Sequence, residues 1–276
     1  MYHTYMPPIL VTGANGNIGS LVSANLRRAG VEVRTADLDT PFDFTDARTW
    51  GVFDNITTMF LVRPPALSNI RRDMIPSLEA ARRAGVQHVV LLSLQGAEHN
   101  TVVPHAKIEA WLRSSGLTWT FVRPSFFMEN LSTTHASDIR DRDSIVVPAG
   151  TGRTAFVAAQ DVAAVATVAL LNPAEHAFAA WTPTGPAALT YAEVAAILTQ
   201  TLGRPIRYAR PGALRYFVHA IRTLGLPAPM AAVTCAIYTV ARLGKADGLT
   251  DDVQKVTGKP PLGLRDWAQE HADTWR

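Results

Sequence analysis

The chain has 276 residues, of which 47% are hydrophobic and 18% are charged. This composition is typical of a globular protein with a large core and excludes a disordered chain. The net charge is only +3 and the arginines are scattered, which argues against a nucleic-acid partner. A single cysteine, Cys235, excludes an internal disulfide and a cysteine-based zinc site, and no histidine pair has metal-ligand spacing. No metal is therefore expected.

The N-terminus lacks a basic region followed by an apolar stretch, so no signal peptide is expected. No apolar stretch approaches the roughly 18 residues that a membrane span requires. These two observations predict a cytoplasmic location and no membrane partner.

The first half of the chain alternates short apolar runs with amphipathic segments. Strands are predicted over residues 9–12, 31–36, 58–62, 86–93 and 118–123. Helices are predicted over residues 18–29, 68–84 and 105–115. Each helix is followed directly by a glycine, which is the usual left-handed end of a helix. This alternation predicts an α/β fold with a doubly wound, parallel Rossmann-type sheet.

The second half is less regular and richer in helices. Residues 145–147, 155–158 and 181–185 are predicted strands; helices are expected over 161–171, 190–202, 213–223, 229–243, 251–258 and 266–275. We predict a dinucleotide-binding domain of residues 1–130, with 145–175 packed against it, and a smaller, mostly helical substrate-binding or lid region of 176–276. The apolar pair 213–223 and 229–243 has two open interpretations, namely buried helices of a subdomain or a lid over a substrate cleft.

Three glycines spaced three apart connect the first strand to the first helix. Gly13 permits a tight turn, Gly16 lets the backbone approach a diphosphate, and Gly19 allows the helix to pack closely on the strand. The helix N-terminus then faces the phosphates. The loop residues that complete this predicted cofactor site are Asn15, Asn17 and Ile18.

Asp37 ends the second strand, eighteen residues after the last of these glycines. A carboxylate there can accept hydrogen bonds from the adenosine ribose and would repel a 2′-phosphate, which favours NAD over NADP. The alternative is a solvated turn residue. Asp43 and Phe44 are predicted to flank the adenine, and Val62 and Arg63, at the end of the third strand, are further predicted cofactor contacts.

Two segments give the sequence a family resemblance. The loop Thr12-Gly-Ala-Asn-Gly-Asn-Ile-Gly19 resembles that of extended and atypical short-chain dehydrogenase/reductases. The segment from Ser114 to Asn130, SSGLTWTFVRPSFFMEN, resembles the NmrA-like group, which includes quinone reductases, ergot-alkaloid-type reductases and redox-sensing regulators. Residues 161–163, 184–195 and 252–261 also resemble this group. The resemblance implies an NAD(P)-binding Rossmann fold.

The resemblance also implies catalytic positions. Ser93 matches the catalytic serine at a strand end, and Lys107 matches the lysine of the Tyr-x-x-x-Lys pair. Both are also predicted to contact the cofactor, Lys107 through the nicotinamide ribose. The tyrosine position holds Val103, so the usual phenol proton donor is missing. His105 is the nearest acid/base group and is our third catalytic candidate.

Three accounts of the proton stay open. Water or a substrate hydroxyl could supply it while hydride is delivered. His105, or Tyr191, Tyr216 or His219 from the C-terminal region, could be the donor. Alternatively, the protein could bind the nucleotide without turnover.

The segment after the fifth predicted strand is expected to form the substrate wall. By the resemblance, Pro124 and Phe126 lie against the nicotinamide. Phe126, Phe127, Met128 and Tyr216 are predicted to contact a flat, apolar aromatic substrate. The alternative is that these side chains belong to the core.

These observations predict an NAD(P)H-dependent reductase that transfers hydride to a ketone, quinone or imine of an aromatic or polycyclic small molecule, as in natural-product or antibiotic biosynthesis. The alternative is a non-catalytic, NAD(P)-sensing regulator of the NmrA type with a protein partner, which the missing tyrosine favours. An epimerase or lyase is disfavoured because it would need that tyrosine. The chain is expected to be a monomer or a homodimer.

Overall fold

The computed structural model describes residues 7–37 and 40–276. The first half contains, in chain order, β1 (Ile9–Thr12), α1 (Asn17–Arg28), β2 (Val33–Ala36), β3 (Thr58–Leu61), α2 (Ile70–Asp73), α3 (Ile75–Ala84), β4 (His88–Leu92), α4 (Pro104–Ser114), β5 (Thr118–Val122), β6 (Phe126–Phe127) and α5 (Ala136–Arg142). The second half contains β7 (Ser144–Ile145), β8 (Arg153–Val157), α6 (Ala159–Leu171), β9 (Ala179–Trp181), β10 (Ala188–Thr190), α7 (Tyr191–Leu202), β11 (Arg207–Tyr208), α8 (Ala213–Arg222), α9 (Ala228–Arg242), α10 (Asp252–Thr257) and α11 (Leu264–Glu270). Short 3-10 helices lie at Ala47–Phe53, Ala97–His99, Met128–Asn130 and Ala272–Trp275.

The chain forms two compact units. Unit 1 contains the described residues up to Pro124 together with Ala159–Pro183 and Asp252–Lys259. Unit 2 contains Ser125–Ala158, Thr184–Asp251 and Pro260–Arg276.

Unit 1 is built on a six-stranded sheet in the order β2-β1-β3-β4-β5-β9, in which every pair is parallel. Helices α1 and α6 pack against each other, and α6 also contacts β3, β4 and β5. A buried cluster joins side chains of α3 and α4 to the strands, among them Leu78, Ile108, Leu61 and Phe121. The parallel sheet with its flanking helices confirms the predicted Rossmann-type α/β fold.

The predicted helix over 68–84 was wrong in one respect, since two helices occupy it. Met74 separates α2 from α3 with φ −124°. Pro76 in the first turn of α3 has no N–H to continue a preceding helix, so the chain breaks there. At the other end of α3, Gly85 adopts φ 108°, the left-handed helix end that its position predicted.

Unit 2 has smaller sheets. Strand β8 pairs with β10 in antiparallel fashion and with β6 in parallel fashion, while β7 pairs with β11. Its core contains the fully buried side chains of Trp267, Trp275 and Tyr216. Helix α7 begins with the capping box that its sequence predicts, in which Glu193 N–H donates to Thr190 Oγ1 at 3.2 Å and Thr190 N–H donates to Glu193 Oε2 at 2.7 Å.

The bounds of the two units differ from those of the predicted domains, because strands from different predicted domains pair with each other. Residues 145–158 belong to unit 2 because β8 pairs with β6 and β10. Residues 176–183 belong to unit 1 because β9 pairs with β5. The segment 252–259 joins unit 1 as well, where α10 packs on α6. Substrate binding by unit 2 stays a prediction.

Helices α8 and α9 form a hairpin that is exposed along much of its length. Of the fifteen residues of α9, only Ala231, Tyr238 and Ala241 are buried. The other face of the pair packs into the core of unit 2 through Tyr216, Ala220, Ala231, Tyr238 and Ala241. The helices are therefore buried on one face only, and the lid interpretation stays a prediction. Over the part of the chain that the structure describes, no helix combines the length and apolar character needed to cross a membrane.

Candidate active site

The glycine loop has a geometry that only glycine permits. Gly13 has φ 63°, and a Cβ added to it would lie 3.0 Å from Cβ of Val62. A Cβ on Gly19 would lie 2.1 Å from the carbonyl oxygen of Gly13, well inside any real contact. The loop also closes on itself, since Gly16 N–H donates to Gly13 O at 3.0 Å. The turn and the start of α1 are thus packed as a dinucleotide-binding loop requires.

Among the described residues, no side chain caps the N-terminus of α1. Gly16 is the N-cap and makes no side-chain cap hydrogen bond, and the first turn contains no acidic residue. Ile18 is buried and anchors this turn, whereas Asn17 is exposed. The amide groups and the positive end of the helix dipole are therefore directed toward an external anion such as a diphosphate.

Asp37 lies beside this loop. Its Oδ2 accepts the backbone N–H of Asn15 at 2.6 Å, and its own backbone N–H donates to Thr40 Oγ1 at 2.8 Å. The residue is thus part of a turn, while its carboxylate is held at the rim of the glycine loop. The turn contacts agree with the interpretation of Asp37 as a turn residue, and its contact with the adenosine ribose stays a prediction.

Asp43 and Phe44 are engaged within the protein. Asp43 Oδ1 accepts the backbone N–H of Thr45 at 2.7 Å. The ring of Phe44 is only 4% exposed and meets Phe42 edge to face, with 4.8 Å between ring centroids. Because the ring is covered by the core, its placement argues against contact with an adenine.

Val62 and Arg63 follow β3. Val62 N–H donates to Thr12 Oγ1 at 2.8 Å, which ties the end of β3 to the end of β1. Arg63 Nη1 donates to the carbonyl oxygens of Pro64, Pro65 and Leu67 at 2.8, 3.1 and 3.0 Å. The guanidinium therefore fixes the loop after β3, and its partial burial lowers the pKa of Arg63.

Ser93 lies at the end of β4, where its hydroxyl donates to Glu109 Oε1 at 2.7 Å. The carboxylate of Glu109 is fully buried and also receives two hydrogen bonds from Arg123, at 2.9 and 2.6 Å. Arg113 approaches the same carboxylate at 3.0 Å, and Glu98 lies 3.3 Å from Arg123. A charged network thus joins the ends of β4 and β5 to helix α4.

Glu109 is ionised in this network. Burial alone would raise the pKa of its carboxyl group, but the hydrogen bonds from Arg123 and Ser93, with the charges of Arg123 and Arg113, bring the pKa below its ordinary value. The proton of the Ser93 hydroxyl is directed to this carboxylate, which leaves the hydroxyl lone pairs to accept. Sequence reasoning missed Glu109 as a functional residue. A glutamate one turn after His105, between the core-facing Ile108 and Leu112, was the available signal.

His105 lies in the first turn of α4. Its Nδ1 is buried and has no hydrogen-bond partner among the described residues. Burial, and then the charge of Arg63, lower the pKa of His105 to about 4. The imidazole is therefore neutral at pH 7. Lys107 is exposed on the same helix, and Val103 forms its N-cap.

The four predicted substrate residues lie in unit 2. Pro124, a predicted cofactor contact, ends the first segment of unit 1. Contact of these residues with a substrate or cofactor stays a prediction. Phe126 and Phe127 are half-buried in β6, where they pair with Phe156 and Val157. Met128 is 1% exposed and belongs to the core of unit 2.

The three C-terminal donor candidates are also in unit 2. Tyr191 is buried, and burial raises its pKa. Tyr216 is fully buried, its hydroxyl has no hydrogen-bond partner within the described part of the chain, and burial raises its pKa to about 12. His219 Nε2 lies 2.7 Å from Oδ2 of the buried Asp138. Because the two tyrosines are buried and His219 is engaged with Asp138, these groups are poor proton donors.

Among the residues that the structure describes, no group of three or more His, Cys, Asp or Glu side chains is arranged to hold a metal ion.

Comparisons with known proteins identify the family of this chain. The family model described as the NmrA-like family matches residues 25–258. The NAD(P)H azoreductase of Xenophilus azovorans is 34% identical over 96% of this chain and 98% of its own length. The (4-alkanoyl-5-oxo-2,5-dihydrofuran-3-yl)methyl phosphate reductase of Streptomyces griseus is 32% identical over 97% of this chain and 99% of its own length.

A solved structure agrees in fold. The NADPH-dependent quinone oxidoreductase of Escherichia coli, complexed with NADPH, superposes with a TM-score of 0.80 over 95% of this chain and 99% of that one, at 21% identity. The resemblance inferred from the loop and from residues 114–130 is confirmed. The chain belongs to the NmrA-like family.

Proposed function

We propose that this protein is an NAD(P)H-dependent reductase of apolar, conjugated aromatic substrates. The observation that carries the proposal is the glycine loop, in which Gly13 and Gly19 pack without room for a side chain and no side chain of residues 7–37 or 40–276 caps α1. The azoreductase of Xenophilus azovorans, 34% identical, and the other family reductases support the activity.

The cofactor supplies a hydride when it is bound. Gly13, Gly16 and the first amides of α1 would hold its diphosphate. Asp37 would accept hydrogen bonds from the adenosine ribose, and its charge would oppose a 2′-phosphate, so NADH is the preferred cofactor. Lys107 would hold the nicotinamide ribose. Ser93, whose hydroxyl donates its hydrogen bond to Glu109, would accept a hydrogen bond from a bound ligand rather than donate one.

Val103 occupies the position of the family's tyrosine, so the phenol proton donor is missing there, and this restricts the kinds of substrate that can be reduced. A simple ketone reduced by hydride becomes a strongly basic alkoxide and needs a positioned acid. His105 is neutral, with a pKa lowered to about 4, so it offers an N–H hydrogen bond but no imidazolium proton. A quinone, an azo compound or a conjugated iminium ion yields a delocalised anion or a neutral amine instead. Such products take any proton they need from water.

The experiment is a comparison of acceptors. Purified protein is mixed with NADH or NADPH and, in turn, a quinone, an azo dye and a non-conjugated ketone, and loss of reduced-cofactor absorbance is followed. We expect turnover with the conjugated acceptors and at least a hundredfold lower kcat/KM with the ketone, the scale of a missing general acid. Tight cofactor binding with no turnover of any acceptor would refute the proposal.

That last outcome is what the second candidate requires. Val103 at the tyrosine position favours a regulator that binds NAD(P) and a protein partner without chemistry. In that case the cofactor still binds to the glycine loop, as calorimetry would detect, while every acceptor fails.

A further inference from the structure

One long stretch of unit 2 contains no acidic residue. Between Val194 and Ala246 the sequence has no Asp or Glu, whereas the whole chain carries a net charge of only +3. The basic residues of this stretch are Arg204, Arg207, Arg210, Arg215, Arg222, Arg242 and Lys245. The stretch includes the whole α8–α9 hairpin.

The same hairpin exposes large apolar side chains. We call this surface the hairpin face, and it consists of Leu214 (78% exposed), Val218 (40%), Met230 (45%), Val233 (55%), Ile237 (46%), Val240 (43%) and Leu243 (66%). Scattered exposed hydrophobics are ordinary, but a contiguous group marks an interaction surface.

The order of residues along the two helices places charge beside this apolar surface. On α8, Leu214, Val218 and Arg222 are spaced four apart and so lie in one row, with Arg215 next to Leu214. On α9, Met230, Val233, Ile237 and Val240 are spaced three, four and three, which keeps them on one side. An apolar face bordered by arginine is the pattern of helices that lie in a lipid interface.

Contacts between α8 and α9 hold the two helices of the hairpin together. Cys235 Sγ lies 3.7 Å from the carbonyl oxygen of Ala213, which joins the two helices. In the connecting turn, Leu226 N–H donates to Ala220 O at 2.9 Å. An apolar groove of about 620 Å³ runs between the helices, lined by Phe217, Ala236 and Thr239 among others.

We propose that the hairpin face docks this protein onto the surface of an anionic lipid bilayer. Anionic headgroups complement the acid-free, basic stretch, and the apolar residues enter the headgroup–acyl boundary. Among the described residues, Arg215 and Arg222 of α8 are exposed and take part in no ion pair, so their charges are available beside the hairpin face. A second copy of this chain would oppose like charges and is the less favourable occupant. The helices, of 10 and 15 residues, are too short to span and would lie along the surface.

This proposal revises the expectation of no membrane partner, which rested on the lack of a spanning segment. It is independent of the proposed reductase activity, because binding to vesicles is measured without turnover.

The test is co-sedimentation of the full chain with vesicles of phosphatidylcholine alone or mixed with phosphatidylserine. Each basic residue near an anionic surface contributes about fivefold to partitioning, so Arg215→Gln with Arg222→Gln is expected to weaken binding about 25-fold. The charge-matched control is Arg71→Gln with Arg83→Gln, two exposed arginines of unit 1.

The apolar part is tested by Ile237→Asp. Its matched control is Leu249→Asp, since the two side chains are 46% and 48% exposed and only Ile237 is on the hairpin face. We expect Ile237→Asp to abolish binding and Leu249→Asp to retain it, with unchanged circular dichroism in both. High salt should weaken binding to the mixed vesicles.

Three outcomes overturn the proposal. The first is no binding of the wild type to mixed vesicles at low salt. The second is equal loss in the control variants. The third is a dimer in sedimentation equilibrium that Ile237→Asp dissociates, which would assign the hairpin face to a second copy.

Discussion

Removal of the Glu109 carboxylate should destabilise unit 1 strongly. Glu109→Ala deletes both hydrogen bonds to Arg123 and the one from Ser93, and leaves Arg123 only 7% exposed with its charge poorly compensated. Breaking a buried ion pair in this way costs about 3–5 kcal/mol. Because Glu98 stays 3.3 Å from Arg123, we expect the lower end, about 3 kcal/mol.

Urea denaturation followed by circular dichroism measures this loss. A change of about 3 kcal/mol lowers the midpoint by about 1 M or more. The control is Glu79→Ala, which breaks the partly exposed pair with Arg82 and should cost at most about 1 kcal/mol. If both variants lose the same stability, the reasoning about burial is refuted.

Acid provides a second check on the same carboxylate. The folded protein holds the pKa of Glu109 below its ordinary value, with Arg123 and Ser93 outweighing burial. The unfolded chain therefore binds this proton more readily, and the stabilisation present at neutral pH is lost as pH falls through the folded pKa. Stability of Glu109→Ala should depend less on pH below about 4.5 than that of the wild type.

Three further changes test the candidate site. Asp37→Ala should shift the kcat/KM ratio of NADPH to NADH upward by about tenfold, the scale of one screened charge repulsion; a wild type that already prefers NADPH strongly would contradict its ribose role. His105→Gln should lower kcat about fivefold and leave the profile flat from pH 6 to 8, because the histidine pKa of about 4 lies below that window. The wild type should lose folding stability as the pH falls from 6.5 to 4, because His105 is protonated more readily in the unfolded chain, and His105→Gln should lose less. An inflection near pH 6.5 in the wild-type rate would refute the lowered pKa of His105. Gly19→Ala places a Cβ 2.1 Å from Gly13 O, while on Gly51→Ala the nearest atom is 3.8 Å away. Calorimetry should show cofactor binding lost in the first and retained in the second, and retained binding in both would contradict the loop geometry.

The sheet could be predicted from the sequence because its signals are local. The apolar run of β1 and the glycines after α1, α3 and α4 depend on neighbouring residues only, and each is found where expected. The break at Met74 was missed because helical periodicity continues across it, although Pro76 was a local sign.

The Glu109 network could not be predicted because it depends on tertiary contacts. Its carboxylate is buried only once β4 and β5 bring Ser93 and Arg123 to α4. The burial of the Phe44 ring also depends on tertiary structure, since the ring is only 4% exposed and packs against Phe42 in the core of unit 1. The exposure of α9 differs from what its composition predicts, because a helix that is uncharged up to Ala241 is usually interior.

The discontinuity of unit 1 has a consequence for biosynthesis. Strand β5 is complete at Val122, but its neighbour β9 is made only after unit 2 residues 125–158 and α6 have been synthesised. Until then the nascent sheet ends in an unpaired parallel edge, a hazard for aggregation. The hydrogen bond that the Thr120 hydroxyl donates to His176 O at 2.7 Å also cannot form until residue 176 has been synthesised. Unit 1 can therefore complete its fold only late in synthesis. A chain that ends at Pro124 should need a chaperone rather than fold by itself.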